Sequence, residues 1–183
     1  MAKTRIEKDS MGDVEVPADA LYQAQTQRAV NNFAVSDQTM PEDFIRALAM
    51  VKHAAATANE ELGLLDGNIA HAIRQSAEAV MDGEHLAQFP VDVFQTGSGT
   101  SSNMNMNEVL ATLASRHSGE SVSPNDHVNM SQSSNDSVPT AIQISATLGC
   151  EKKLATGPCA FTECFTREKN AQSVISLRRV AHI

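Results

Sequence analysis

Residues 95 to 107, QTGSGTSSNMNMN, put eight Ser, Thr or Asn side chains into thirteen positions, and the first charge after them is Glu108. A second Ser and Asn cluster, NMSQSSNDS at 129–137, stands just ahead of Pro139. Each runs into apolar periodicity, so each places neutral hydrogen-bonding groups at a helix start, where unpaired N–H groups and about half a positive charge already gather. That combination suits a carboxylate. Between Val91 and Thr147 the one Lys or Arg is Arg116, so an anion gripped here is held by neutral donors more than by ion pairs. The same residue types are favoured at caps and turns whatever the function. One such cluster is more often a cap than a ligand site; two in one chain strengthen the binding reading.

The elements that must position these loops are mainly helical. PADALYQAQTQRAVNNF, 17–33, predicts a first helix opening at Pro17, with Leu21, Ala24 and Val30 to one side. A second begins where Thr39 can cap and Glu42 and Asp43 suit the first turn; Phe44, Leu48, Val51, Ala55, Ala58 and Leu62 follow at spacings of three and four, and Gly63 ends it. A third opens near Asp66, carries Ile69, Ile73, Ala77 and Val80 on one face, and stops at Gly83. PVDVFQ, 90–95, alternates enough for a short strand and equally suits a rigid connector. A helix from about Ser101 buries Met106, Val109, Leu110, Leu113 and Ala114, and another from Pro139 carries Ala141, Ile144 and Leu148. Few aromatics and no Trp leave Leu, Ala, Ile, Val and Met to fill the core, which predicts a mainly α fold of the helical-bundle kind.

A formal charge of −8 gives no electrostatic footprint for nucleic acid or anionic lipid. No run approaches bilayer length and MAKTRIEKDS lacks a signal-peptide core, so a cytoplasmic protein with no membrane association is the expectation. Cys150, Cys159 and Cys164 form neither a CxxC pair nor an even framework. His53, His71, His85, His117 and His127 form no i, i+4 metal pair, and Met104, Met106 and Met130 read as packing residues.

Three segments, RIEKDSMGDVEVPADALYQAQTQRAVNNF (5–33), GSGTSSNMNMNEV (97–109) and SPNDHVNMSQSSND (123–136), resemble the corresponding motifs of class II fumarate hydratase in the fumarase and aspartase superfamily. The similarity runs from about Arg5 to Lys153. It implies reversible hydration of fumarate to L-malate with no metal or organic cofactor, in a homotetramer whose active sites draw on three subunits. It implies that Ser98, Gly99 and Thr100, together with Ser133, Ser134 and Asn135, bind the dicarboxylate. A secondary dicarboxylate site falls at Ser123, Pro124, Asn125 and Asp126, with Ser123 where the family has His. QSSND differs from the QSTND usual in aspartate ammonia-lyase, which favours hydration over deamination.

The family's acid and base come from two later segments, GRTHL and GSSxMPxKxNP. The second does not occur in this sequence. His182, in RRVAHI, follows Asn135 at close to the spacing of the GRTHL histidine and is the one candidate for that role; an ordinary exposed histidine is the plainer reading. The division expected is an N-terminal helical domain over 1–138, the first part of a central-bundle helix over 139–155, and an aberrant tail over 156–183. Gly157 and Pro158 break the helical period there. Two readings stay open beside the hydratase: an ammonia-lyase, and a non-catalytic fragment that keeps the dicarboxylate contacts.

Overall fold

The computed structural model describes residues 3–153. Strands β1 (Thr4–Asp9) and β2 (Gly12–Pro17) form an antiparallel hairpin, Thr4 opposite Pro17 and Asp9 opposite Gly12. Helices α1 (Ala24–Asn32), α2 (Glu42–Glu61), α3 (Gly67–Met81), α4 (Thr100–Ser118) and α5 (Ser134–Lys153) follow. A 3-10 turn occupies Leu86–Gln88 and a π-type turn Pro124–Val128. The fold is mainly α, as the composition predicts.

The hairpin is absent from the sequence reading because β1 inverts the usual alternation. Ile6 is 61% exposed, while the half-buried Arg5 and Asp9 face partners. Arg28 on α1 donates to both carboxylate oxygens of Asp9, at 2.8 and 2.9 Å, and to the carbonyl of Gly12 at 2.9 Å. That guanidinium holds the Asp9 carboxyl below its ordinary value. The turn is thereby fastened to α1.

Helix α1 begins seven residues later than Pro17, which instead ends β2. Arg5 explains the delay: its guanidinium collects the carbonyls of Pro17, Ala20 and Tyr22 at 3.0, 2.7 and 2.8 Å, holding 17–22 in an irregular path. When the helix does start, no side chain of its own caps it. Glu108, buried on α4, reaches across and accepts from the N–H groups of Gln23, Gln25 and Thr26 at 2.8, 2.9 and 3.1 Å. A carboxylate there also meets the positive end of the helix dipole.

Helices α2 and α3 form a hairpin, and α3 packs on α4. Asp66 caps α3 as expected, accepting from Asn68 N–H at 2.8 Å, and Ile69, Ile73, Ala77 and Val80 are buried. Helix α2 departs from the predicted face. Thr39 is not its cap but pairs with Asp92 in an isolated bridge, and the helix opens after Pro41. Leu62 is 71% exposed, whereas Lys52 and Asn59 are buried. Leu48, Ile73, Val80, Val109 and Leu110 are almost wholly buried, each contributing roughly 1.5–3 kcal/mol.

The segment 90–95 is a connector, not a strand. Its Asp92 accepts from the N–H groups of Ser36, Asp37 and Phe94 at 2.6, 3.0 and 2.8 Å. Those backbone bonds, Ser36 first, hold its carboxyl at about 2. The last helix starts at Ser134 rather than Pro139, which lies inside it; lacking an N–H, Pro139 cannot bond the carbonyl of Asn135. The first compact unit extends to Ser145 and the second begins at Ala146. The expected tail, 156–183, lies outside the described residues.

Candidate functional site

The first hydroxyl-rich loop enters α4 through a turn closed by the Gly99 N–H on the Thr96 carbonyl at 2.9 Å. Gly99 has φ of 67°, a left-handed conformation that glycine adopts without strain. The cap comes from upstream: Gln95 Oε1 accepts from Ser102 N–H at 2.9 Å, and Gln95 Nε2 donates to Ser102 Oγ at 2.8 Å. Of the N–H groups in the first turn, that of Ser102 is therefore taken, and those of Thr100 and Ser101 meet no acceptor among the described residues. Ser98 and Thr100 are exposed, and their hydroxyls bond each other at 2.8 Å.

The second loop enters α5 by capping itself. Ser133 Oγ accepts from Asn135 N–H at 3.2 Å, and the carboxylate of Asp136 accepts from Ser133 N–H at 3.1 Å, a reciprocal capping box. Ser134 Oγ accepts from Asn103 Nδ2 at 3.2 Å. Asn135 is exposed, and no hydrogen bond to its side-chain amide is formed among the described residues. Ser133 thus serves the helix, Ser134 is tied to α4, and Asn135 keeps its amide free.

Two contacts set the loops side by side. Asn103 holds Ser134, and Gly99 lies so close to Val138 that a Cβ added to it would come within 2.8 Å of Val138 Cγ1. The order is reversed between the helices: the start of α4 meets the second turn of α5, and the second turn of α4 meets the start of α5. Thr100 and Asn135 fall within the stretch that these contacts bracket, while Ser98 and Ser133 fall just outside it at opposite ends. Val138 and Ser137 are buried at this overlap.

Beneath the second loop lies a cluster that the sequence reading missed. Asn129 Oδ1 accepts three bonds, from Lys52 Nζ at 3.1 Å, Asn103 Nδ2 at 3.2 Å and Asn107 Nδ2 at 3.1 Å. Lys52 Nζ also donates to Gln132 Oε1 at 2.9 Å. Burial lowers the Lys52 amine to about 7, opposed by the nearby charge of Asp136. Asn103 Oδ1 and Asn107 Oδ1 are buried without a partner among the described residues. The available signal was Asn103 and Asn107 at i, i+4 on one helix face, and a lysine on the apolar face of α2.

The residues expected at a secondary site bind one another. Ser123 Oγ donates to Asp126 Oδ2 at 2.8 Å and accepts from Asp126 N–H at 3.1 Å, and Ser123 N–H donates to His127 Nδ1 at 3.0 Å. Pro124 and Asn125 form the start of that turn. His182 lies outside the described residues. Among those described, no three His, Cys, Asp or Glu side chains converge as a metal site needs, and no helix is long and apolar enough to cross a membrane. A cleft of about 190 Å³ lined by Val30, Phe33, Gln38 and Pro90 lies on a different part of the molecule.

Over 154 residues the chain is 59% identical to fumarate hydratase class II 2 of Pseudomonas aeruginosa, covering 84% of this chain and 34% of that protein. It is 60% identical over 150 residues to fumarate hydratase class II of Xylella fastidiosa, covering 82% and 32%. Among solved structures, class II fumarase from Schistosoma mansoni superposes with a TM-score of 0.78 at 41% identity, covering 81% of this chain and 33% of that one. A fumarate lyase:delta crystallin from Brucella melitensis in native form gives 0.77 at 47% identity, covering 82% and 37%. The chain spans about a third of the length of these curated relatives. A family model described as lyase matches residues 12–179, and on that extent the chain belongs to the lyase family.

Proposed function

We propose that the described part of the chain is the dicarboxylate-holding portion of a fumarate hydratase, serving the reversible addition of water across the double bond of fumarate to give L-malate. The observation that carries this reading is the overlap of α4 and α5, which brackets Thr100 and Asn135 between the Gly99–Val138 and Asn103–Ser134 contacts. Free N–H groups, two hydroxyls and an unengaged amide are the donors a dianion needs where no salt bridge is at hand.

In the reverse reaction a proton leaves the carbon next to a carboxylate, and the charge on that carboxylate's oxygens grows. Fixed donors strengthen as that charge develops, so they stabilise the transition state more than the ground state. Ser98, Gly99, Thr100, Ser134 and Asn135 would hold the substrate, and Ser133 would keep the turn in shape. Proton transfer needs an acid and a base. The segment that supplies the base in class II fumarate hydratases does not occur in this sequence, and His182 would be the water-side histidine. Assembly as a homotetramer in the cytoplasm, with other subunits completing each site, belongs to the same reading.

Two measurements test it. Titrating the purified chain with fumarate while following backbone amide resonances should shift Thr100, Ser101 and Asn135 saturably; shifts confined to other regions would defeat the assignment. Following fumarate absorbance and L-malate formation should show turnover only when a partner chain carrying the base segment is added. Turnover by the chain alone would instead require a base within this sequence.

A further inference from the structure

We propose that Lys52 is a positioning residue of this dicarboxylate site: held on Asn129 and Gln132, its buried side chain fixes the turn that carries Ser134 and sets a positive charge beneath it. The proposal rests on the reading of the preceding subsection and adds the one feature which that reading lacks, a cation.

The geometry is continuous from the amine to the site. Lys52 Nζ donates to Asn129 Oδ1, which accepts from Asn103 Nδ2, which also donates to Ser134 Oγ, at 3.1, 3.2 and 3.2 Å. Gln132, the second acceptor of the amine, lies two residues before Ser134 and donates through Nε2 to the carbonyl of Val128 at 2.9 Å. Removing Lys52 would leave two amide oxygens of this turn short of their strongest donor. Lys52 is wholly buried on α2, far in sequence from either loop, and it stands on the apolar face where a hydrocarbon side chain would serve packing better.

The groups around the amine allow it to respond to a bound anion. The loop contributes the neutral amides of Asn129 and Gln132, and α4 contributes Asn103 and Asn107 through the shared Asn129 oxygen. Helix α5 contributes the charge of Asp136, and burial holds the amine at about 7. A dianion seated on the Ser134 turn favours the protonated amine, so binding and protonation help each other. At a separation of about 10 Å and an effective dielectric of ~50, between the values for a protein surface and for bulk water, one such charge is worth on the order of tenfold in affinity for a dianion.

The test uses the full chain, with fumarate as the dianionic probe and monomethyl fumarate as the monoanionic one. Lys52→Met is expected to weaken fumarate about tenfold and monomethyl fumarate about threefold, while Lys52→Arg restores most of the preference for the dianion. A folded Lys52→Met chain that binds both probes like the parent overturns the proposal. Equal weakening of both probes, unrescued by Arg, would assign Lys52 to packing alone and also overturn it. Failure of the parent chain to bind either probe would strike the dicarboxylate reading itself. Should Lys52→Met not fold, the parent chain still decides: the Lys52 side-chain resonance near pH 7.5 is expected to move toward its protonated position as fumarate saturates, and an unmoved resonance at saturation overturns the proposal.

Discussion

At the start of α5 the chain caps itself within four residues: Ser133 Oγ accepts from Asn135 N–H, and the Asp136 carboxylate accepts from Ser133 N–H. At the start of α4 the cap is Gln95, seven residues before the N–H it accepts from, and among the described residues the intervening Ser98 and Thr100 hydroxyls bond only each other. The two loops look alike in composition and differ in what their side chains must do. Density of Ser, Thr and Asn therefore does not measure how much of a loop is available to a ligand. In the first loop a longer side chain does the capping and Ser98 and Thr100 take no part in it; in the second Ser133 Oγ accepts at the cap while Asn135 lies exposed beside it.

The largest effect is expected at the contact between the two helices. Gly99→Ala combines a left-handed backbone with a close approach to Val138, and should destabilise the chain by about 3 kcal/mol and abolish fumarate-dependent amide shifts. Adding Val138→Ala should recover part of that loss. If denaturant midpoints show simple additivity, the contact does not couple the two starts.

Next comes the amine beneath α5. The folded chain holds Lys52 at about 7 against an ordinary 10.5, so between these values the unfolded chain binds the extra proton. Stability should climb as pH rises through that window, by up to about 1.4 kcal/mol per unit. Urea unfolding from pH 7 to 10 compares the parent with Lys52→Met; equal slopes would mean that the amine is not desolvated. Gln95→Ala should cost about 1 kcal/mol and loosen the first loop, read as faster amide exchange at Thr100 to Ser102. Ser133→Ala should cost about 0.5–1 kcal/mol, yet change fumarate affinity less than Asn135→Ala does. The reverse ranking would make Ser133 a ligand contact and not a cap.

What could be read from the sequence follows from locality. Asp66 before α3, Gly83 after it and the apolar period of α4 all act within a turn or two, so the residue types announce them. The same holds for the motifs of the two loops. The sequence was silent wherever one residue serves a distant one. Arg5 diverts 17–22 from a helix that Pro17 seemed to open, and Glu108 supplies a cap that nothing near Gln23 could suggest. Lys52 breaks an apolar face for the sake of Asn129, and the buried side of β1 is polar because Arg28 waits opposite. Each of these is a charged group meeting backbone, amide or carboxylate partners across the fold, invisible to periodicity.

Glu108 also fixes an order in time. During synthesis the residues of α1 are made long before the carboxylate that will hold their N–H groups, so the opening arm has no anchor at its first turn until α4 has been formed. Capping of α1 therefore waits on α4, and a chain cut short of residue 108 would leave the first turn of α1 uncapped.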